Sequence, residues 1–285
     1  MPPVSPPKPA AKPALPPQTQ MMKRQFDLQL SAAIQQRQQN HPNPLARFGS
    51  KAFSQTDEDG ITLEILRRLG LQNGIFAEFG VGDGFENNTL ALLAAGWRGL
   101  WVGGQTLAYD PSGSPVLDFQ QAWITAENVA ALLHNGLTNL KTENADLISV
   151  DLDGNDLHIC RALLESGTKP SLFIVEYNAK FPPPLRFSIR YDPDHQWQRD
   201  DYHGASLQSL ADLFAEFGYR CICCNAATGA NAFFVPEASL HLFPEVPTDL
   251  RQIHSAPHYM LYHNYGHKTG LRTLETLLQT RFPPA

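Results

Sequence analysis

The chain has 285 residues, 42% of them hydrophobic and 10% aromatic, enough to bury one substantial core in a single large domain. A formal charge of −6, without a clustered excess of Lys and Arg, excludes an electrostatic footprint for nucleic acid. No window approaches the roughly 20 apolar residues of a membrane span and the N-terminus has no apolar signal core, so a cytoplasmic protein without a membrane partner is expected.

Residues 1–20 carry eight of the 23 prolines and read as an extended, disordered leader. Residues 21–49 read as a polar helical extension, closed by the prolines of HPNP. From residue 50 to 285 strand-like and helix-like runs alternate, as in a parallel sheet covered on both faces by helices. The patterns predict helices at 58–69, 86–95, 127–135, 155–166 and 205–217. Strands are predicted at 75–79, 99–103, 146–151 and 171–177, with a further short one near Ala122–Thr125. Ser206 is a candidate cap for the helix that carries Leu207, Leu210, Phe214 and Phe217 on one face. YRCICC and NAFFV follow as an antiparallel hairpin at the sheet edge. The four cysteines lack the paired spacing of a metal site and are expected to be small buried hydrophobes. The histidines near the C-terminus, His254, His258, His263 and His267, are taken as packing or surface residues.

Ligands of open parallel sheets sit beyond the carboxyl ends of the strands, so the residues that follow each strand matter most. The run IFAEFGVGDG places Glu78 before Gly80, Gly82 and Gly84, a GxGxG bend rather than the GxGxxG of dinucleotide sites. An acid before such a turn repels a pyrophosphate and suits a cationic ligand, which points to S-adenosylmethionine. Asn87 and Asn88 stand where amides could meet the carboxylate of that donor. After the second strand, where a ribose-binding acid is usual, the chain has Gly103, Gly104 and Gln105; Gln105 is the candidate hydroxyl partner. Glu127 opens the next helix near the expected adenine position.

DLISVDLDGND puts Asp151 and Asp153 at the end of the fourth strand, and FIVEYNAKF puts Glu176 and Asn178 at the end of the fifth. Crowded carboxylates raise one another's pKa or recruit a cation. Asp151, Asp153, Glu176 and Asn178 are therefore the candidate catalytic group. Asp151, Glu176 and Asn178 also form a hard-oxygen set for a divalent metal such as Mg2+, as in magnesium-dependent catechol-type O-methyltransferases. A calcium loop is excluded, because position 12 counted from Asp151 is Ala162 rather than Glu. The long stretch 179–205, with Phe181, Tyr191, Trp197, Asp201, Tyr202 and His203, has the make-up of a lid over a polyhydroxylated small-molecule or glycan acceptor.

SQTDEDGI, FAEFGVGDGFENNT, GWRGLWVGG, ISVDLDGND, FIVEYNAKFPP, YHGASLQSL and NAFFV, in this order over residues 54–235, resemble the FkbM-like methyltransferase group. The resemblance implies a doubly wound Rossmann-like methyltransferase sheet, mostly parallel with a C-terminal antiparallel hairpin. It also implies S-adenosylmethionine as methyl donor and O-methylation of a sugar or natural-product hydroxyl. The residues leave two other functions open: a non-catalytic binding module on a degenerate fold, and an NAD-dependent oxidoreductase, which the GxGxG spacing and the hairpin disfavour.

Overall fold

The structure is a computed structural model and describes residues 16–258. Helix α1 spans Pro17–Asn40, so it begins within the stretch expected to be leader; residues 1–15 and 259–285, with His263 and His267, lie outside the described residues. Pro17 suits the first helical turn, where its missing N–H would be unpaired anyway. α1 is largely exposed and buries only Gln38, so it is held by its C-terminal end. There Arg37 donates to the carbonyls of Ala226 and Ala256 (both 2.9 Å), and Gln38 donates to Asp57 (2.9 Å).

Helix α2 covers Glu58–Leu69 and ends on Gly70 in the left-handed region, which caps it by donating to Leu66 and Arg67. Strand β1, Ile75–Phe79, is buried along its whole length. Helix α3 is only Leu90–Ala94, shorter than the pattern suggests, because residues 84–89 form a turn instead of its first turns. Strand β2, Arg98–Gly103, follows. Strand β3 is Leu117–Gln121, upstream of the Ala122–Thr125 segment that the sequence favoured. As the edge strand it buries little beyond Leu117, so Asp118, Gln120 and Gln121 are tolerated and an apolar signature is missing.

Helix α4 spans Val129–Asn139, β4 Leu147–Val150, α5 Asp156–Glu165 and β5 Leu172–Glu176. Helix α6, Leu207–Glu216, is capped by Ser206, which accepts from the Ser209 N–H, and buries Leu207, Leu210 and Phe214 as expected. Strands β6, Tyr219–Cys224, and β7, Asn231–Pro236, form the terminal hairpin, and α7, Leu250–Ile253, completes the described chain. All four cysteines are free and buried. None of the helices among the described residues is long and apolar enough to cross a membrane.

The strands lie in the order β3-β2-β1-β4-β5-β7-β6, with β7 antiparallel to both neighbours and the other pairs parallel. This is the doubly wound Rossmann-like sheet with its antiparallel C-terminal hairpin. Successive strand side chains point to opposite faces. Ala77, Phe79, Val150 and Val175 enter the core under α4, α5 and α6, while Phe76, Leu147 and Ile174 enter the core under α2.

That alternation positions the carboxyl edge. Val150 pairs with Val175, so the next residues, Asp151 and Glu176, stand side by side on the opposite face from those two valines. Glu176 in turn is the register partner of Asn231 on β7. A row Asp151–Glu176–Asn231 therefore runs across three strands at one sheet end.

Candidate active site at the carboxyl edge of the sheet

A cavity of about 910 Å³ opens over the carboxyl ends of β1, β2, β4 and β5. Its floor is the glycine bend after β1, and the three glycines of that bend do different work. Gly80, at φ +101°, cannot carry a side chain, because a Cβ would collide with the carbonyl oxygen of Asp151. Gly82, at φ +53°, has open space where its Cβ would be and lines the cavity. Gly84, at φ +91°, turns away from it: a Cβ there would meet Leu107 at 3.2 Å and Tyr109 at 3.4 Å. Only Gly80 and Gly82 of the three predicted glycines border the cavity; Gly84 serves the turn and the packing beneath it.

Glu78 also lines the cavity, but its oxygens are already engaged. Oε1 accepts from the Asn88 N–H at 2.9 Å, and Oε2 accepts from the N–H (3.1 Å) and hydroxyl (2.5 Å) of Thr89. Trp101 Nε1 completes the chain by donating to Thr89 Oγ1 at 2.8 Å. Glu78 follows Phe76 by two, so it shares the face covered by α3 and caps the turn into that helix. Burial pushes its pKa up, while the bonds from Thr89 and Asn88 pull it down. Glu78, expected to contact a donor, thus also holds the turn into α3. Asn87 next to it is buried, faces the cavity and adds its side-chain amide to the donors that pull Glu78 down. Gln105 stands exposed at the cavity mouth, past β2.

Two predicted residues are elsewhere. Glu127 is exposed and outside the cavity lining; it accepts from the Tyr191 hydroxyl (2.5 Å), a bond that lowers its pKa and pins the long loop to the start of α4. Asn178 is fully buried and committed to that same loop. Its Nδ2 donates to the carbonyls of Asp201 (2.9 Å) and His203 (3.1 Å), and its Oδ1 accepts from the Lys180 N–H (3.2 Å). It offers no free oxygen to a metal or acceptor, because one step beyond Tyr177 the chain has left the strand.

The acidic end of the cavity does assemble. Oxygens of Asp151, Asp153 and Glu176 all lie within 4.8 Å of one another. Asp153 adopts φ +55°, and its loop is shaped by the fully buried Asp156, whose oxygens accept from the N–H groups of Leu152 (2.8 Å) and Gly154 (3.0 Å). Burial pushes Asp156 up to about 7. Asp151 and Glu176 are raised well above ordinary carboxylates, first by burial and then by their acidic neighbours. Among the described residues, six carboxylates line the cavity against one arginine, Arg199.

The roof is the stretch past β5 read as a lid, of which Trp197 and His203 reach the cavity. Phe181 instead stacks on Phe187 (4.0 Å between centroids) in a small separate core, and Asp201 pairs with Lys180 Nζ (2.5 Å). The loop is tied down by Asn155 Nδ2 donating to Asp192 O (2.8 Å) and by Trp123 Nε1 donating to Pro193 O (2.6 Å).

Trp123, His195, Gln55 and Asn231 also line the cavity and were not singled out in the sequence. Trp123 follows an edge strand that the pattern misplaced. Gln55 and Asn231 owe their places to a buried knot. Asp57 accepts from the Ala227 N–H (3.1 Å) and, like Glu58, takes a bond from Asn225 Nδ2; Asn225 Oδ1 accepts from the N–H groups of Ala230 and Asn231 (both 2.9 Å). Asp59 accepts from three successive backbone N–H groups, residues 52–54. Three buried acids are tolerated here because they sit at the positive end of α2 and are densely hydrogen-bonded. The SQTDEDGI motif thus fastens the start of α2 to the β6–β7 turn.

No protein-family model matches the sequence, and no curated protein matches it. Among solved structures, the chain is similar to magnesium protoporphyrin IX methyltransferase from Synechocystis PCC 6803 with bound SAM. The identity is 12%, over 63% of this chain and 77% of that one, with a TM-score of 0.36. It is also similar to the 1,6-didemethyltoxoflavin-N1-methyltransferase of Burkholderia thailandensis with bound 1,6-didemethyltoxoflavin and S-adenosylhomocysteine (12% identity, 80% and 92% coverage, TM-score 0.37). A third is a methyltransferase of calicheamicin biosynthesis in its SAH-bound form (14% identity, 77% and 58% coverage, TM-score 0.33).

Proposed function

We propose that this chain is an S-adenosylmethionine-dependent methyltransferase of the FkbM-like type, acting on a hydroxyl of a small glycan-like or other polyhydroxylated acceptor. The observation that carries this reading is the opening of the glycine bend and of the Asp151–Glu176 carboxylates onto one cavity of about 910 Å³. That volume lies at the upper end of the range for small-molecule sites, about 300–1,000 Å³, and leaves room beside a donor for an acceptor.

The residues present fit the donor. The gap over Gly82 admits a ligand close to the backbone, and the Asn87 amide in the cavity wall suits a carboxylate. The excess of acid favours a cationic ligand over a pyrophosphate. When bound, S-adenosylmethionine supplies a methyl group on a sulfonium, so transfer breaks a C–S bond and leaves a neutral thioether. The chain's own task is to align the two ligands and to take the acceptor's proton. Asp151 and Glu176 share that task. Without a cation their crowding favours one proton on the pair, and the carboxylate left ionised accepts the hydroxyl proton as the new C–O bond forms. Trp197 and Trp123 supply apolar faces for a sugar ring, and the tied-down loop keeps water out.

The specific observation that favours a non-catalytic binding module is Gly103-Gly104-Gln105 where a ribose-binding acid is usual. Isothermal titration separates the two. Stoichiometric heat with S-adenosylmethionine and S-adenosylhomocysteine, and none with NADH, is the expected result; absence of heat with both donor forms overturns the transferase.

A further inference from the structure

We propose that Asp151, Asp153 and Glu176, together with the side-chain oxygen of Asn231, bind one divalent cation of the hard Mg2+ and Mn2+ class. What the cation does there rests on the transferase reading; whether it binds does not.

Geometry comes first. Hard divalent cations hold oxygens at roughly 2.0–2.6 Å, so two ligands on opposite sides of one ion are separated by about 4.2 Å for the smallest and at most about 5.2 Å for the largest. The oxygens of the three carboxylates meet that limit pairwise. They come from the ends of two neighbouring strands and from a loop clamped by Asp156.

Charge balance is the second point. None of the three carboxylates belongs to an ion pair with Lys or Arg among the described residues, and Arg199 is the one arginine or lysine in the cavity wall. His195, packed on Gly154, is the cationic neighbour of Asp153. Asp151 and Glu176, half-buried and without a Lys or Arg partner, are costly as charges, and a divalent ion lowers that cost.

The third observation is independent of the acids. Asn231 is 2% exposed, lines the same cavity, and its Oδ1 has no hydrogen-bond donor among the described residues. Its Nδ2 is turned to Glu58 (3.4 Å), which leaves Oδ1 as the free atom. A buried amide oxygen without a donor points to a positively charged ligand. Asn231 stands opposite Glu176 in the β5–β7 register, and directly paired residues project to the same sheet face. Glu176 Oε2 is likewise buried and unpaired. The row Asp151–Glu176–Asn231 therefore lines up oxygens from three adjacent strand ends, two of them, Glu176 Oε2 and Asn231 Oδ1, buried and unpaired, with Asp153 closing the group from the loop. Asn231 takes the neutral-oxygen place that the sequence pattern had given to Asn178.

The test is a titration of the full-length chain with Mn2+ alone, without donor, followed by the loss of the free-ion electron paramagnetic resonance signal. One Mn2+ per chain, displaced by Mg2+, is expected, together with a rise in melting temperature of about 5–10 °C at a hundred times the dissociation constant. Glu176→Gln and Asn231→Ala should each weaken uptake at least about tenfold. Glu86→Gln, which removes a lining carboxylate outside the group, should leave it unchanged. No stoichiometric uptake by the unmodified chain at about 5 mM Mn2+, beyond the weakest specific hard-cation sites, overturns the proposal. So does an equal loss in Glu86→Gln and Glu176→Gln, which would make uptake a matter of bulk charge. The donor titration contains no metal and this one no donor, so either can fail without the other.

Discussion

Asp151 and Glu176 end neighbouring parallel strands in adjacent register, and both carboxylates reach one group within 4.8 Å. Their closeness follows from sheet pairing, since Val150 and Val175 beneath them are direct partners. Replacing Asp151 by Asn keeps the shape and removes both a proton acceptor and a source of repulsion. Methyl transfer from labelled S-adenosylmethionine to a panel of hydroxylated acceptors should fall by about 10²–10⁴. Binding of S-adenosylhomocysteine should stay near that of the unmodified chain. A parallel loss of product-analogue binding would show that Asp151 serves the donor instead.

Gly80 and Gly82 make a matched pair of opposites. Gly80→Ala forces a methyl into the Asp151 carbonyl and should cost about 2–4 kcal/mol in urea unfolding. Gly82→Ala meets no atom and should cost only the left-handed backbone penalty, about 1–2 kcal/mol, yet weaken donor binding measured by calorimetry. Equal stability losses in the two variants would contradict this division.

Asn225 bonds to acceptors at the start of α2 and to donors at the start of β7 with no exposure of its own. Asn225→Ala leaves Asp57 and Glu58 buried with fewer donors, and a loss of about 2–4 kcal/mol in the urea midpoint analysis is expected. Asn225→Asp, which adds a further carboxylate to the knot, should be at least as damaging.

Glu64 accepts from Arg67 Nε and Arg68 Nε, both at 2.7 Å, and these partners hold its pKa down at about 2. A depressed carboxylate stabilises the fold above its unfolded pKa of 4.5, and that stability disappears as pH falls through about 2. Glu64→Gln should therefore cost about 1–3 kcal/mol at neutral pH. The difference from the parent should shrink between pH 4.5 and 2 in denaturation curves. A gap that persists at pH 2 would assign the effect to packing.

Much of the architecture was legible along the chain because its signals are local. An apolar run of strand length, an amphipathic helix repeat or a serine before a leucine-rich stretch needs no knowledge of distant residues, and α2, β1 and the Ser206 cap fell where these signals put them. Segments with weak local signals were displaced: β3 is a polar edge strand, and α3 starts late because Glu78 captures the preceding turn. The acids at the ends of β4 and β5 could be named as a group on the general rule that open sheets bind ligands at that edge.

By itself, then, the order of residues determined most of the strands and helices, that the sheet closes on an antiparallel hairpin, and that acids and glycines collect at strand ends. Tertiary structure alone decided which of those groups face one another. Strand parity and register are set by pairing across long stretches of chain. They brought Asn231 beside Glu176, drew Asn178 into the loop, gave Glu127 to Tyr191, and swung Trp123 over the cavity. A period of two tells which residues share a face of one strand, but only the neighbouring strand determines what that face meets.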